Sequence, residues 1–146
     1  MTGISEPVLY ASMRRDADTK QSHIPAAAGT SGLVEEAALL RILADPTRLR
    51  LAVALSRNGE TCVCTLAEAL AEPEYKISRH LAVMRSAGLV EVRRDGTWMH
   101  YKLAQPKNHI EECLWDCFRD YLSADKSMAA ALKQLKTLCC NEKGRQ

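Results

Sequence analysis

The chain has 146 residues, of which 47% are hydrophobic and 26% charged, so it can bury one core and is ordinary for a soluble globular protein. Its formal net charge of +2 does not by itself indicate a nucleic-acid partner, and no apolar run reaches the length that crosses a bilayer. Residues 1–18 hold no apolar segment typical of a secretory signal, so we expect a cytoplasmic protein without a membrane partner, whose six cysteines stay thiols.

The first third of the chain predicts a flexible arm followed by two helices. Residues 1–32 mix serine, threonine, proline, glycine and charges with little periodicity, which favours an N-terminal arm without regular structure. Helical periodicity then places four apolar residues on one face, namely Leu33, Ala37, Leu40 and Leu43. Asp45 before Pro46 predicts the start of a second helix, which ends at Asn58 and Gly59.

Two shorter helices follow in the order typical of a helix-turn-helix. Thr65 and Glu68 have the spacing of a capping box, so we expect a short helix over residues 66–70. Pro73 then opens a longer helix that ends at Gly88. Its buried face is marked by apolar residues at helical spacing, namely Ile77, Leu81 and Met84.

After Gly88 the hydrophobic period changes from helical to two. Apolar residues alternate with polar ones over residues 90–93 and 98–103, and Asp95-Gly96 between them is a strong hairpin signal. The fold class we predict is therefore mainly α with a β-hairpin wing, a winged helix-turn-helix over residues 33–104. Its second helix can enter a DNA major groove, while the hairpin reaches the flanking backbone or minor groove.

Residues 105–146 predict a C-terminal dimerisation helix and a cysteine-containing tail. A long helix over residues 107–123 carries an apolar stripe made of Ile110, Leu114, Phe118 and Tyr121. A last amphipathic segment over residues 127–138 ends in Cys139 and Cys140.

Basic residues are concentrated in the helix-turn-helix and its wing. Residues 73–103 hold six basic and three acidic side chains, a surplus of three against +2 for the whole chain. The candidate DNA contacts lie near the start of the second helix and beside the hairpin tip, and they are Tyr75, Lys76, Ser78, Arg79, Arg93 and Arg94. Any one of them could equally belong to a solvated charged face, but together they favour double-stranded DNA.

Cys62 and Cys64 stand directly before the predicted cap residue Thr65. If residues 62–64 are extended, both side chains point the same way, because a strand has a period of two. The positive end of the following helix lowers a thiol pKa and favours a thiolate ligand. The alternative is a pair of small buried hydrophobic residues.

Five segments together resemble the ArsR/SmtB family of metal-sensing repressors, close to its arsenical-resistance members. They are DPTRLR at 45–50, CVC at 62–64, KISRHL at 76–81, RSAGLV at 85–90 and DGTWMHY at 95–101. The resemblance covers about residues 33–103, and it implies a homodimeric repressor that leaves its operator when As(III) or Sb(III) binds. Ala67 stands where some arsenical repressors have a third cysteine, and Pro73-Glu74 replaces a frequent Ser-Gln pair at the start of the recognition helix.

The resemblance leaves the third ligand of the metalloid open. Trivalent arsenic and antimony prefer three thiolates, and soft ligands suit soft centres. Cys139 and Cys140 are our preferred further ligands, within the subunit or across a dimer, and as a vicinal pair they could also hold a methylated arsenical. A small exogenous thiol or hydroxide could fill the third place instead, and the two cysteines could equally lie on a frayed C-terminus.

Three rival functions use other cysteine chemistry. His109, Cys113 and Cys117 follow one another at helical spacing and could bind zinc or cadmium, although packing against a dimer interface suits the two cysteines better. A thiol redox switch on the same fold would release DNA by disulfide formation. An enzyme with a phosphate loop from Cys113 to Arg119 is disfavoured, because the intervening residues are bulky and helical, and no organic cofactor is indicated.

Overall fold

The computed structural model describes the backbone of residues 30–143 and the side chains of residues 32–138. The chain divides into two units, residues 1–34 and 35–146, and the buried core belongs to the second. The helices are α1 (Thr30–Leu43), α2 (Pro46–Asn58), α3 (Val63–Leu70), α4 (Glu74–Ser86), α5 (His109–Asp120) and α6 (Lys126–Lys143), with a short 3₁₀ turn at Leu122–Ala124. The strands are β1 (Thr61–Cys62), β2 (Val90–Asp95) and β3 (Trp98–Leu103). The predicted arm over residues 1–32 lies almost wholly outside the described residues, which begin in α1 at Thr30.

Helix α2 lies at the centre of the core. Its residues 51–55 are all buried, so the helix is covered on every side rather than on one stripe. It contacts α4, α5, α6 and β3. Within the described residues, no helix combines the length and apolarity that a bilayer crossing requires.

The start of α2 confirms the cap predicted from Asp45 and Pro46. The Asp45 carboxylate accepts a hydrogen bond from the Arg48 amide at 2.9 Å, and Pro46 occupies the first turn. The helix ends at Asn58, and Gly59 follows with a φ of 76°, a conformation that favours glycine. Asp45 also lies 3.7 Å from His80 Nδ1, so it joins the start of α2 to α4.

Replacing Asp45 by alanine should lower the free energy of unfolding by about 1 kcal/mol, because the Arg48 amide loses its acceptor. Asp45→Asn keeps an acceptor and should cost much less. Urea denaturation at pH 7 measures both variants. An alanine variant with the wild-type midpoint and slope would show that the cap contributes nothing to stability.

The acid dependence of the same variants gives a second check. The hydrogen bond from the Arg48 amide holds the pKa of Asp45 below its ordinary value of 3.8. The charged carboxylate therefore stabilises the fold above the unfolded pKa, and this stabilisation is lost as the pH falls through the lowered folded pKa. The stability difference between wild type and Asp45→Ala should accordingly narrow in acid.

The start of α3 corrects the predicted capping box. The helix begins at Val63, with Cys62 as its N-cap, so Thr65 and Glu68 lie inside it and do not cap it. The reason is that Thr61 and Cys62 pair with β3, and the chain passes from strand to helix without an intervening loop. Thr65 is consequently buried in the helix.

The predicted hairpin is confirmed, and it carries a third strand that periodicity did not predict. The antiparallel sheet has the order β1-β3-β2. Strands β2 and β3, hereafter the wing, pair from Val90 opposite Leu103 to Asp95 opposite Trp98. Strand β1 adds two pairs on the other side of β3, Thr61 opposite Tyr101 and Cys62 opposite His100.

The predicted apolar faces of α1 and α5 are only partly buried in the single chain. In α1, Leu39 and Leu43 are buried, whereas Leu33 and Leu40 are 75% and 51% exposed in the single chain. In α5 the inner face is formed by Trp115 and Phe118, whose rings lie 5.6 Å apart. The Trp115 indole N–H donates to the Ala104 carbonyl at 3.0 Å, and this turns Ile110 and Tyr121 of the predicted stripe outward. Helix α6 also continues past the predicted end, so Cys139 and Cys140 lie within it.

Candidate functional site

Helix α4 is held to the core by three side chains on one face. Ile77, Leu81 and Met84 are all 0% exposed, as their spacing predicts. The helix begins after Pro73, which supplies no side-chain cap. It ends at Ser86, and Gly88 follows with a φ of 74°. The N-terminal turns of α4 therefore face away from the core as one accessible surface.

The four candidate DNA contacts on α4 differ in their surroundings. Tyr75 is 71% exposed, Arg79 is exposed and Ser78 is half-buried. Lys76 is half-buried and donates to Glu72 at 2.9 Å in an ion pair at the protein surface. The structure thus brings all four to the start of one helix, the end that enters a major groove in helix-turn-helix proteins.

The two wing arginines are held by carboxylate and carbonyl oxygens. Arg93 donates from Nη2 and Nε to Glu60 at 2.6 and 2.9 Å, and Arg94 donates to the Gly96 carbonyl at the hairpin turn at 3.0 Å. The hydrogen bond from Arg93 lowers the pKa of Glu60, which stays a carboxylate at neutral pH. Glu60 was missed by sequence reasoning because it lies 33 residues before its partner.

Cys62 and Cys64, hereafter the thiol pair, come together at the junction of β1 and α3. Their Sγ atoms are 2.9 Å apart and are not joined by a disulfide. Cys62 is buried at the N-cap, and Cys64 is half-buried in the first turn. The prediction that residues 62–64 are extended is wrong beyond Cys62, yet the two sulfurs converge because the helix turns back over its own cap.

The segment that carries the thiol pair is fixed on the side of α2. Thr61 is buried, and its hydroxyl accepts from the Asn58 side-chain amide at 2.8 Å and donates to the Gly59 carbonyl at 3.1 Å. On its other side, α3 contacts both α4 and α6. A change at the sulfurs therefore acts on an element that contacts α4, which carries four of the candidate DNA contacts.

A third histidine, cysteine or carboxylate ligand for the thiol pair is not assembled in the part of the chain that the structure describes. No group of three histidine, cysteine, aspartate or glutamate side chains there could hold a metal ion. Ala67, where a third cysteine would stand, is buried. The side chains of Cys139 and Cys140 lie outside the described residues.

The alternative ligands on α5 are only partly assembled. His109 Nε2 lies 3.5 Å from Cys113 Sγ, and its Nδ1 lies 3.3 Å from a carboxylate oxygen of Glu112. Cys117 is half-buried one turn further on. Residues 113–119 are helical throughout, so a phosphate-binding loop at Cys113 does not form.

Trp98 and His100 on the wing were not predicted as site residues. Trp98 is 57% exposed near the hairpin turn. His100 lies between Cys62 on one neighbouring strand and Arg93 on the other. The alternation of side chains along β3 puts Trp98 and His100 on the outer face of the sheet. Only the pairing of β1 with β3 brings His100 next to Cys62 of the thiol pair.

The arrangement of α3, α4 and the wing defines a winged helix-turn-helix, a class of DNA-binding protein. The motif described as "Bacterial regulatory protein, arsR family" matches residues 45–92. The reduced form of HlyU from Vibrio cholerae has a similar fold, with a TM-score of 0.54 and 25% identity over 62% of this chain and 93% of that one.

Two curated relatives match more closely in sequence. The arsenical resistance operon repressor of Escherichia coli is 52% identical over 91 residues, which are 59% of this chain and 77% of the relative. A transcriptional repressor SmtB homolog of Synechocystis is 48% identical over 68 residues, 47% of this chain and 49% of that protein. The chain belongs to the ArsR family, and it is a transcriptional regulator rather than an enzyme.

Proposed function

We propose that this protein is a repressor that binds double-stranded operator DNA and releases it when the thiol pair takes up trivalent arsenic or antimony. The observation that carries the proposal is the 2.9 Å separation of the two sulfurs at the start of the first helix of the helix-turn-helix. Thiolates are the ligands that soft, thiophilic centres prefer. The name of the Escherichia coli relative supports arsenic over other inducers.

The proposed release follows from the geometry of the pair. Two thiolates on one tetrahedral zinc lie about 3.8 Å apart, because each Zn–S bond is about 2.3 Å long. A bound centre of comparable size must open the pair beyond its present 2.9 Å. Cys64 lies in the first turn of α3, so opening the pair tilts or unwinds that turn. Because α3 packs against α4, the DNA-facing helix then moves.

The DNA-binding unit that we propose is a homodimer with two recognition helices on a palindromic operator. Its support is the apolar surface that α1 and α5 leave exposed in the single chain within residues 35–146, including Leu40, Ile110 and Tyr121. Such a surface on the outer helices is typical of a protein–protein interface.

The third ligand of the metalloid is the subject of a separate proposal. Cys139 and Cys140 lie in the last turns of α6, and α6 contacts α3. We propose that one or both complete the coordination, within the subunit or from the partner subunit. A methylated arsenical needs only two protein thiolates, which either the thiol pair or the vicinal pair Cys139 and Cys140 could supply.

A second candidate function is release by zinc or cadmium at His109, Cys113 and Cys117. The observation that favours it is the carboxylate of Glu112 on the far ring nitrogen of His109, since metal-bound histidines commonly carry such a partner. Release by peroxide through oxidation of the thiol pair is a third candidate, supported by the same 2.9 Å contact.

An operator mobility shift distinguishes these functions. Each inducer is titrated separately into the preformed complex of protein and operator. Reductant is present for As(III), methylarsenite, Sb(III), Zn(II) and Cd(II), and it is left out for peroxide. We expect release by the arsenic and antimony species at concentrations at which Zn(II) and Cd(II) have no effect. Preferential release by Zn(II) would favour the site on α5, and release by peroxide alone would favour the redox switch.

A further inference from the structure

The thiol pair is connected to the wing by a single row of side chains across the sheet. Cys62 on β1 is directly opposite His100 on β3, and His100 is directly opposite Arg93 on β2. Directly opposed residues of antiparallel strands lie on the same face, with Cβ atoms about 4.5–5.5 Å apart. The row therefore leads from a buried cysteine to a wing arginine through one histidine.

Glu60 contacts Arg93, the residue at the other end of this row. It immediately precedes β1, and one of its oxygens accepts from both Nη2 and Nε of Arg93 at 2.6 and 2.9 Å. A second carboxylate, Asp95, lies 3.5 Å from Arg93 Nη1. The guanidinium of Arg93 is thus fixed mainly by a residue on the segment that carries Cys62.

Because of this contact, Glu60 and a DNA phosphate would compete for the N–H groups of Arg93. The N–H groups that donate to Glu60 cannot donate to a phosphate in the same geometry, because each N–H points at one acceptor. A displacement of β1 at Cys62 also displaces Glu60, and with it the position of Arg93. The recognition helix is therefore not the only DNA-facing element that the thiol pair can move.

We propose that Glu60 is a positioning residue through which the thiol pair acts on the wing. The proposal rests on the proposed function, since it requires that a ligand at Cys62 and Cys64 weaken operator binding. In the operator complex a phosphate replaces Glu60 as the acceptor of the Arg93 N–H groups. When the pair opens around its ligand, β1 shifts and carries Glu60 with it, so that Arg93 returns to the carboxylate and the wing contact is lost together with the contact of the recognition helix.

The test compares Glu60→Gln with wild type by operator fluorescence anisotropy at fixed salt, with and without arsenite. The variant weakens the main contact of Arg93, leaving only Asp95 as a charged partner, and removes a negative charge near the backbone. Its operator affinity without arsenite should therefore rise about two- to fivefold, the range for an exposed ion pair. Its loss of affinity on adding arsenite should shrink by a similar factor. Glu91→Gln is the matched control, because Glu91 pairs with Lys102 at 3.1 Å on the same sheet but outside the row.

A double-mutant cycle separates positioning from a general charge effect. In an Arg93→Gln background, Glu60→Gln should change the arsenite response no further, because Glu60 acts through Arg93. The proposal is overturned if Glu60→Gln and Glu91→Gln raise affinity equally and both keep the wild-type arsenite response. If wild type itself does not respond to arsenite, the proposed function fails and this proposal fails with it, whereas a normal wild-type response with an unchanged Glu60→Gln response refutes this proposal alone.

Discussion

Cys64→Ser should bind the operator as wild type does and should no longer release it with arsenite. Serine is nearly isosteric with cysteine, but its hydroxyl is a hard ligand that a thiophilic metalloid does not favour. Cys64 is half-buried at the edge of the core and lies in the first turn of α3, so this substitution should leave the fold and α4 in place. Couplings between two sites are typically about 1–3 kcal/mol, so wild type should lose roughly 5- to 150-fold in operator affinity. In the variant, arsenite should lower operator affinity by less than about twofold, which is below that range.

Fluorescence anisotropy with a labelled operator measures this effect in the presence of increasing arsenite. Cys117→Ser is the matched control, because Cys117 is also half-buried but lies on α5. It should respond like wild type. Cys62→Ser is less informative alone, since Cys62 is only 2% exposed and its loss also affects packing. Normal release by the Cys64→Ser protein would remove the thiol pair as the inducer site.

Arg79→Ala should weaken operator binding by about 1–3 kcal/mol, the range for a side chain that contacts a base edge or phosphate in the major groove. Arg79 is exposed in the N-terminal half of α4, on the face opposite the buried residues Ile77 and Leu81. The loss should leave protein stability unchanged, because the arginine contributes nothing to the core.

The salt dependence of the same variant separates the two kinds of contact. If Arg79 contacts a phosphate, the slope of log K against log salt should fall by about one, and binding to unrelated DNA should weaken to the same extent. If it contacts a base, the loss should be confined to the specific operator. Arg57→Ala serves as the control, since Arg57 is exposed at the end of α2 and α2 is not part of this face. Equal effects of the two substitutions would argue against α4 as the recognition helix.

The parts of this fold that the sequence predicted well are those with strong local signals. Asp45 with Pro46 predicted the start of α2, the spacing of Ile77, Leu81 and Met84 predicted the buried face of α4, and Asp95 with Gly96 predicted the hairpin. Each signal acts over a few residues, through a cap, a helical period or a turn geometry. These signals were sufficient to define a winged helix-turn-helix.

The parts that escaped prediction depend on contacts between distant residues. Strand β1 has two residues, too short for a periodic pattern, and it exists because Thr61 and Cys62 pair with Tyr101 and His100. That pairing moved the start of α3 to Val63 and made Cys62 the cap in place of Thr65. The convergence of the two cysteines was therefore anticipated for a reason that the structure does not support.

In the candidate site, too, local signals were predictable and contacts between distant residues were not. Residue types and spacing were enough to nominate Cys62, Cys64, Arg79 and Arg93. The partner of Arg93 was not predictable, because Glu60 is brought to it only by the pairing of β1 with β3. The inner face of α5 was not predicted in full, since it includes Trp115, whose indole N–H donates to the Ala104 carbonyl across a separation of 11 residues.

The central claim is that metalloid at the thiol pair and operator on α4 oppose each other, and linkage makes that opposition reciprocal. Calorimetric titration of arsenite into the free protein and into the operator complex tests it most directly. Operator should weaken arsenite binding by the same factor by which arsenite weakens operator binding. Equal arsenite affinity of the free and the DNA-bound protein would contradict the account.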